Sequence, residues 1–86
     1  MITGGDYKSE LNLLALVSYN SKGNQYLILF ERFDLENLEE NTFKKYKIPL
    51  ERAQIESIKI IDKNTFWVTS EDEGIGNPFM YKLKVN

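Results

Sequence analysis

The chain has 86 residues, 42% of them hydrophobic and 13% aromatic, which is too apolar for a disordered segment and gives one domain at most, burying about two-thirds of its extended surface. A formal charge of −2, from 11 basic and 13 acidic residues, lacks the basic surplus of a nucleic-acid groove or of a protein held on an anionic membrane. With neither cysteine nor histidine, disulfides, ordinary zinc sites and Ser-His-Asp or Cys-His catalysis are excluded from this chain, and the redox compartment stays open.

Ile2 to Lys8 reads as a short strand loosened by Gly4 and Gly5. Leu11 to Asn20 is a stronger one, with Leu11, Leu13, Ala15, Val17 and Tyr19 on one face and Leu14 and Leu16 on the other. Ser21-Lys22-Gly23-Asn24 is a turn, and Gln25 to Phe33 is again apolar on both faces, through Tyr26, Leu27, Ile28, Leu29 and Phe30. Strands of that kind are expected to be covered on both sides. Asp34 to Thr42 is a polar connection with room for a single helical turn. Phe43 to Leu50 sets Tyr46, Ile48 and Leu50 against Lys45 and Lys47, an outer strand whose lysines guard an exposed edge.

The second half opens on a hairpin pattern, Ala53 to Asp62 and Asn64 to Glu71, with a corner at Asp62-Lys63-Asn64. Apolar residues fall on both faces of both runs, so these two strands are expected to be covered on both sides. Antiparallel pairing would bring Glu56 and Glu71, at its two open ends, together. Glu71 to Pro78 is a loop by its glycines and proline. In Phe79 to Val85, Phe79, Tyr81, Leu83 and Val85 alternate with Met80, Lys82 and Lys84.

The second half reads as a repeat of the first at an offset of about 50 residues, the scale of propeller blades. Asp6 falls over Glu56, Asn12 to Ser18 over Asn64 to Ser70, and Tyr26 to Phe30 over Phe79 to Leu83. The expected fold is therefore all-β, an antiparallel meander of about seven strands in two blade-like repeats, four strands in residues 1–52 and three in 53–86. Such a chain is a fragment of a longer propeller, a small stand-alone β domain, or a unit that associates through open edge strands. No apolar run approaches the roughly 20 residues needed to cross a bilayer. The opening Met1 to Asp6 lacks the basic and apolar regions of a signal peptide, so a soluble chain is expected.

Ile2-Thr3-Gly4-Gly5-Asp6-Tyr7, Leu14 to Asn20, Gln54 to Ile58 and Val68-Thr69-Ser70-Glu71 resemble the last blades of β-propeller proteins secreted by Bacteroidetes-type bacteria, many of which carry a C-terminal sorting segment. The resemblance implies a six-bladed propeller exported to the periplasm or cell surface, with acidic side chains near its axis. The acidic-aliphatic blade start also resembles phytase-like, esterase-like and lactonase-like propellers, in which axial carboxylates hold calcium. By that analogy Asp6, Glu56 and Glu71 form a candidate calcium site, and the parent would be a calcium-dependent hydrolase of esters, lactones or phosphoesters. The chain departs from that pattern in having no histidine, sorting segment or signal peptide.

Each candidate has a plainer reading. Acids at strand ends also serve as solvated turn residues, and Glu71-Asp72-Glu73-Gly74 lacks the alternate-position ligands of an EF-hand. Tyr19, Asn20 and Glu71, which occupy the same corner of the two copies, are the candidate ligand-binding residues. Trp67, Tyr7, Tyr26 and Tyr81 suit blade packing as well as a stacking platform. Gly74 to Pro78 lacks the lysine, hydroxyl residue and helix of a phosphate loop, and Lys44, Lys45 and Lys47 suit a solvated edge. The favoured expectation is a non-catalytic structural or partner-binding module.

Overall fold

The computed structural model describes residues 1–49, 54–71 and 78–85, with Glu71 and Pro78 described by their backbone alone. Seven strands carry it: β1 (Ile2–Lys8), β2 (Leu13–Tyr19), β3 (Gln25–Glu31), β4 (Lys44–Ile48), β5 (Gln54–Asp62), β6 (Thr65–Glu71) and β7 (Pro78–Lys84). They form two antiparallel sheets, β1-β2-β3-β4 (sheet 1) and β5-β6-β7 (sheet 2). The architecture is all-β, as expected, and the described residues contain no α-helix. Leu11 leaves the expected second strand for a 3-10 turn, Ser9–Leu11, ended by Asn12 in the left-handed region at φ 50°. The helical turn allowed in the long connection is likewise 3-10, Leu38–Glu40. Leu50 and Ala53 lie outside the described residues.

The sheets meet face to face over one core. Leu13, Ala15 and Val17 of β2, Leu27 and Leu29 of β3 and Ile48 of β4 bury against Ile55, Ile58 and Ile60 of β5 and Phe66 and Val68 of β6. Tyr46, Tyr81, Leu83 and Val85 close its margin. The spacing by two within β2, β3 and β6 is the strand period, and it puts each buried set on one face.

Local chemistry fixes the corners. In the β2–β3 hairpin the Asn20 side-chain oxygen accepts from the Lys22 and Asn24 amides, each at 3.0 Å. Gly23 supplies the positive φ of 83° that the turn needs. At the β5–β6 corner the Asp62 carboxylate accepts from the Asn64 amide at 2.8 Å. That bond, with further ones from Thr65, holds the Asp62 carboxyl below its ordinary range. Across the long connection Asp34 and Asn41 clamp each other, amide to side-chain oxygen and side-chain amide to carbonyl, both at 2.9 Å. The Asp34 carboxyl also accepts from the Asn37 side chain and the Glu36 amide, which lower its pKa in that order.

Where the sheets come closest, β1 lies against β5. A Cβ on Gly4 would stand 2.9 Å from the Glu56 carbonyl oxygen and 3.1 Å from the Ser57 Cα, so only glycine admits this approach. Two side chains of sheet 1 reach across to the β5 backbone. Asp6 Oδ2 accepts from the Ile60 amide at 2.8 Å, and Gln25 Oε1 accepts from the Ile55 amide at 2.6 Å. Amides on the edge of sheet 2 are thus satisfied without a further strand.

Candidate functional site

Of the three acids that the sequence groups, Asp6 and Glu56 have described side chains and Glu71 is described by its backbone alone. Asp6 is half-buried and spends a carboxylate oxygen on the Ile60 amide. Glu56 is exposed in the bulge where β5 slips between Ile55 and Ser57 against Ser70 and Thr69. Glu71 pairs through its backbone with Gln54 and Pro78, so the open ends of the hairpin do meet. Among the described residues no group of three or more acids converges as a cation site would require. Asp72, Glu73 and the glycine loop after them lie outside the described residues.

Tyr19 and Asn20 have structural work at this corner. The Tyr19 amide donates to the Met1 carbonyl at 2.9 Å, and the Asn20 side chain is committed to its turn. Trp67 is half-buried on the outer side of sheet 2, between Lys59 and Lys82 in the ladder. Lys44 pairs with Glu31 at 3.0 Å, which raises the Lys44 pKa through that hydrogen bond and its charge. Lys45 stands 4.2 Å from the centre of the Tyr26 ring.

What stands out is the outer side of sheet 1. Cross-strand rows set Tyr7, Leu14 and Phe30 side by side, then Gly5, Leu16, Ile28 and Lys45, then Ser18, Tyr26 and Lys47. Leu14, Leu16, Ile28 and Phe30 are half-buried although no strand of sheet 2 covers them. Aromatic rings extend the patch: Phe33 sits 6.0 Å from Tyr7 and 5.9 Å from Phe30, and Phe43 lies 5.5 Å from Phe30. An apolar sheet face of this kind, rimmed by lysines, has the make-up of a protein contact. The sequence reading saw both apolar faces but missed Phe33 and Phe43, which lie just outside the strands. The signal was there in the run of phenylalanines flanking an already two-faced strand pair.

The two sheets leave a cleft of about 340 Å³ at one end, where Arg32, Lys44 and Lys63 stand beside Leu13 and Val85. Arg32 enters it from a left-handed backbone at φ 60°. The cleft gathers charge but no pair of groups placed for acid–base or nucleophilic work.

No protein-family model matches the chain, and no curated protein and no solved structure matches it.

Proposed function

We propose that the chain is a non-catalytic structural and partner-binding module of β-propeller type, built from two blade-like repeats of an exported bacterial protein. One observation carries the reading: the strand registers of the two sheets correspond pair by pair. Ile2↔Ser18, Gly4↔Val17, Gly5↔Leu16 and Tyr7↔Leu14 in sheet 1 match Ile55↔Ser70, Ser57↔Thr69, Ile58↔Val68 and Ile60↔Phe66 in sheet 2. The slip falls at the same place in both first strands, leaving Thr3 and Glu56 as the extra residues. The correspondence runs on through the next strand: Leu16↔Ile28 and Leu14↔Phe30 match Val68↔Tyr81 and Phe66↔Leu83.

This alignment sets Asp6 against Lys59 and Glu56 against Thr3, where the sequence alone set Asp6 against Glu56. A shared acidic position in the two repeats therefore loses its support, and with it the main argument for axial calcium. The first strands β1 and β5 lie together while the later strands follow in order away from them, which suits blades ranged around an axis. Export belongs to this reading through the resemblance of the blade segments.

The test is calcium titration with thermal melting, together with assays on a p-nitrophenyl ester, a lactone and a phosphoester. The expected outcome is an unchanged Tm at millimolar calcium and no turnover. A saturable rise in Tm accompanied by calcium-dependent hydrolysis would replace this reading with the hydrolase one.

A further inference from the structure

Building on the repeat correspondence just given, we infer that the outer side of sheet 1 is the seat of a third sheet of the same design, joined in tandem ahead of β1. The chain already contains one such joint. There the covered side belongs to sheet 2 and includes Phe66, Val68, Tyr81 and Leu83 beside Ile55, Ile58 and Ile60 of β5; the covering side belongs to sheet 1 and includes Ala15, Val17, Leu27 and Leu29. Carried through the register, Phe66, Val68, Tyr81 and Leu83 correspond to Leu14, Leu16, Ile28 and Phe30. The exposed apolar side of sheet 1 is thus the counterpart of a side that sheet 2 keeps buried. What covers it has an inner side like that of sheet 1. Because the covering sheet precedes the covered one in the joint within the chain, the missing sheet precedes β1.

A second observation specifies the edge. Met1 and Tyr19 exchange both backbone bonds, each 2.9 Å. The alternation of an antiparallel pair then points the amides of Gly4, Asp6 and Lys8 at β2 and those of Gly5 and Tyr7 away from it. Tyr7 corresponds to Ile60, whose outward amide is held by Asp6 from the covering sheet. The Tyr7 amide accordingly awaits a carboxylate at the Asp6 position of the third sheet.

A second copy of this chain is a poor occupant. Its own covering side is already filled, and the outer side of its sheet 2 offers a Lys59-Trp67-Lys82 row with both lysines exposed. Those lysines would meet Lys45 and Lys47 at the rim of the apolar patch. Sheet 1, by contrast, offers an apolar side on which a further repeat can seat.

The experiment joins an extra copy of residues 1–53 ahead of Met1 of the full chain. The expected result is a single unfolding transition at higher Tm than the 86-residue chain, with exchange at the original Tyr7 amide slowed about tenfold or more. Asp6→Ala in the added copy should remove most of that slowing. An added copy that exchanges as unfolded chain, with Tm unchanged, overturns the inference. So does an added copy that stays folded after Leu16→Glu and Ile28→Glu in the original sheet, since it would then be seated elsewhere. If the 86-residue chain itself dimerises in sedimentation and the same two substitutions break the dimer, the occupant is a second copy and the tandem inference is wrong. Calcium-dependent hydrolysis would sink the functional reading without touching this result, so the two failures are told apart.

Discussion

Sheet 1 turns leucine and isoleucine to both of its sides, whereas sheet 2 turns Lys59, Trp67, Thr69, Met80 and Lys82 outward and, Ile61 apart, keeps its described aliphatic residues for the core. The two sheets share the position of the first bulge and the pairing that follows it, and differ where β5 slips a second time between Ile60 and Asp62. The β5–β6 hairpin also reads apolar on both faces, yet its outer side carries Lys59, Trp67 and Thr69, so the two-sided cover expected of it is not what the described residues show.

Mutations at corresponding positions sharpen that contrast. Phe66 is fully buried and corresponds to half-exposed Leu14, so Phe66→Ala should cost about 3–5 kcal/mol in chemical denaturation and Leu14→Ala well under half of that. Equal costs would mean that the outer side of sheet 1 is already covered in the isolated chain. Gly4→Ala comes next, at about 1–3 kcal/mol, because the new methyl would press on β5 backbone. At Gly5 the same change meets only the flexible end of Leu16 at 2.8 Å and should cost less. Thermal melts of the two variants rank them.

Gln25→Ala leaves the buried Ile55 amide without its acceptor. A loss of about 1–2 kcal/mol is expected, and amide exchange should show Ile55 deprotected before the rest of β5. The smallest effect concerns the connection. The Asp34 carboxylate, whose pKa is lowered by the Asn37 side chain and the Glu36 amide, stabilises that turn above the unfolded carboxylate pKa and loses the contribution as pH falls through the folded value. Acid titration followed by NMR should therefore loosen residues 34–37 while both sheets stay intact, and Asp34→Ala should abolish the pH dependence there.

Much of the fold was legible because strands announce themselves locally. Alternation in Leu13 to Val17 and Tyr81 to Val85, and the turn clusters Ser21 to Asn24 and Asp62 to Asn64, placed the elements with little error. The roles of Asp6 and Gln25 were not legible. Each acts on an amide in another sheet, 54 and 30 positions away, and nothing in the local pattern separates an acid that holds a backbone amide from one that holds a cation. The bulges at Thr3 and Glu56 were not legible either, because bulges follow from sheet geometry more than from composition.

The caps on β5 have a consequence for biosynthesis. Domains form as the chain is made, at about 5–20 residues per second. The acceptors of both caps lie in sheet 1, so Asp6 and Gln25 are synthesised before the β5 amides that they hold. The β5 edge of the second sheet therefore finds its acceptors already made as it emerges from the ribosome. The reverse does not hold, because the patch on sheet 1 has no guard made later in the described chain.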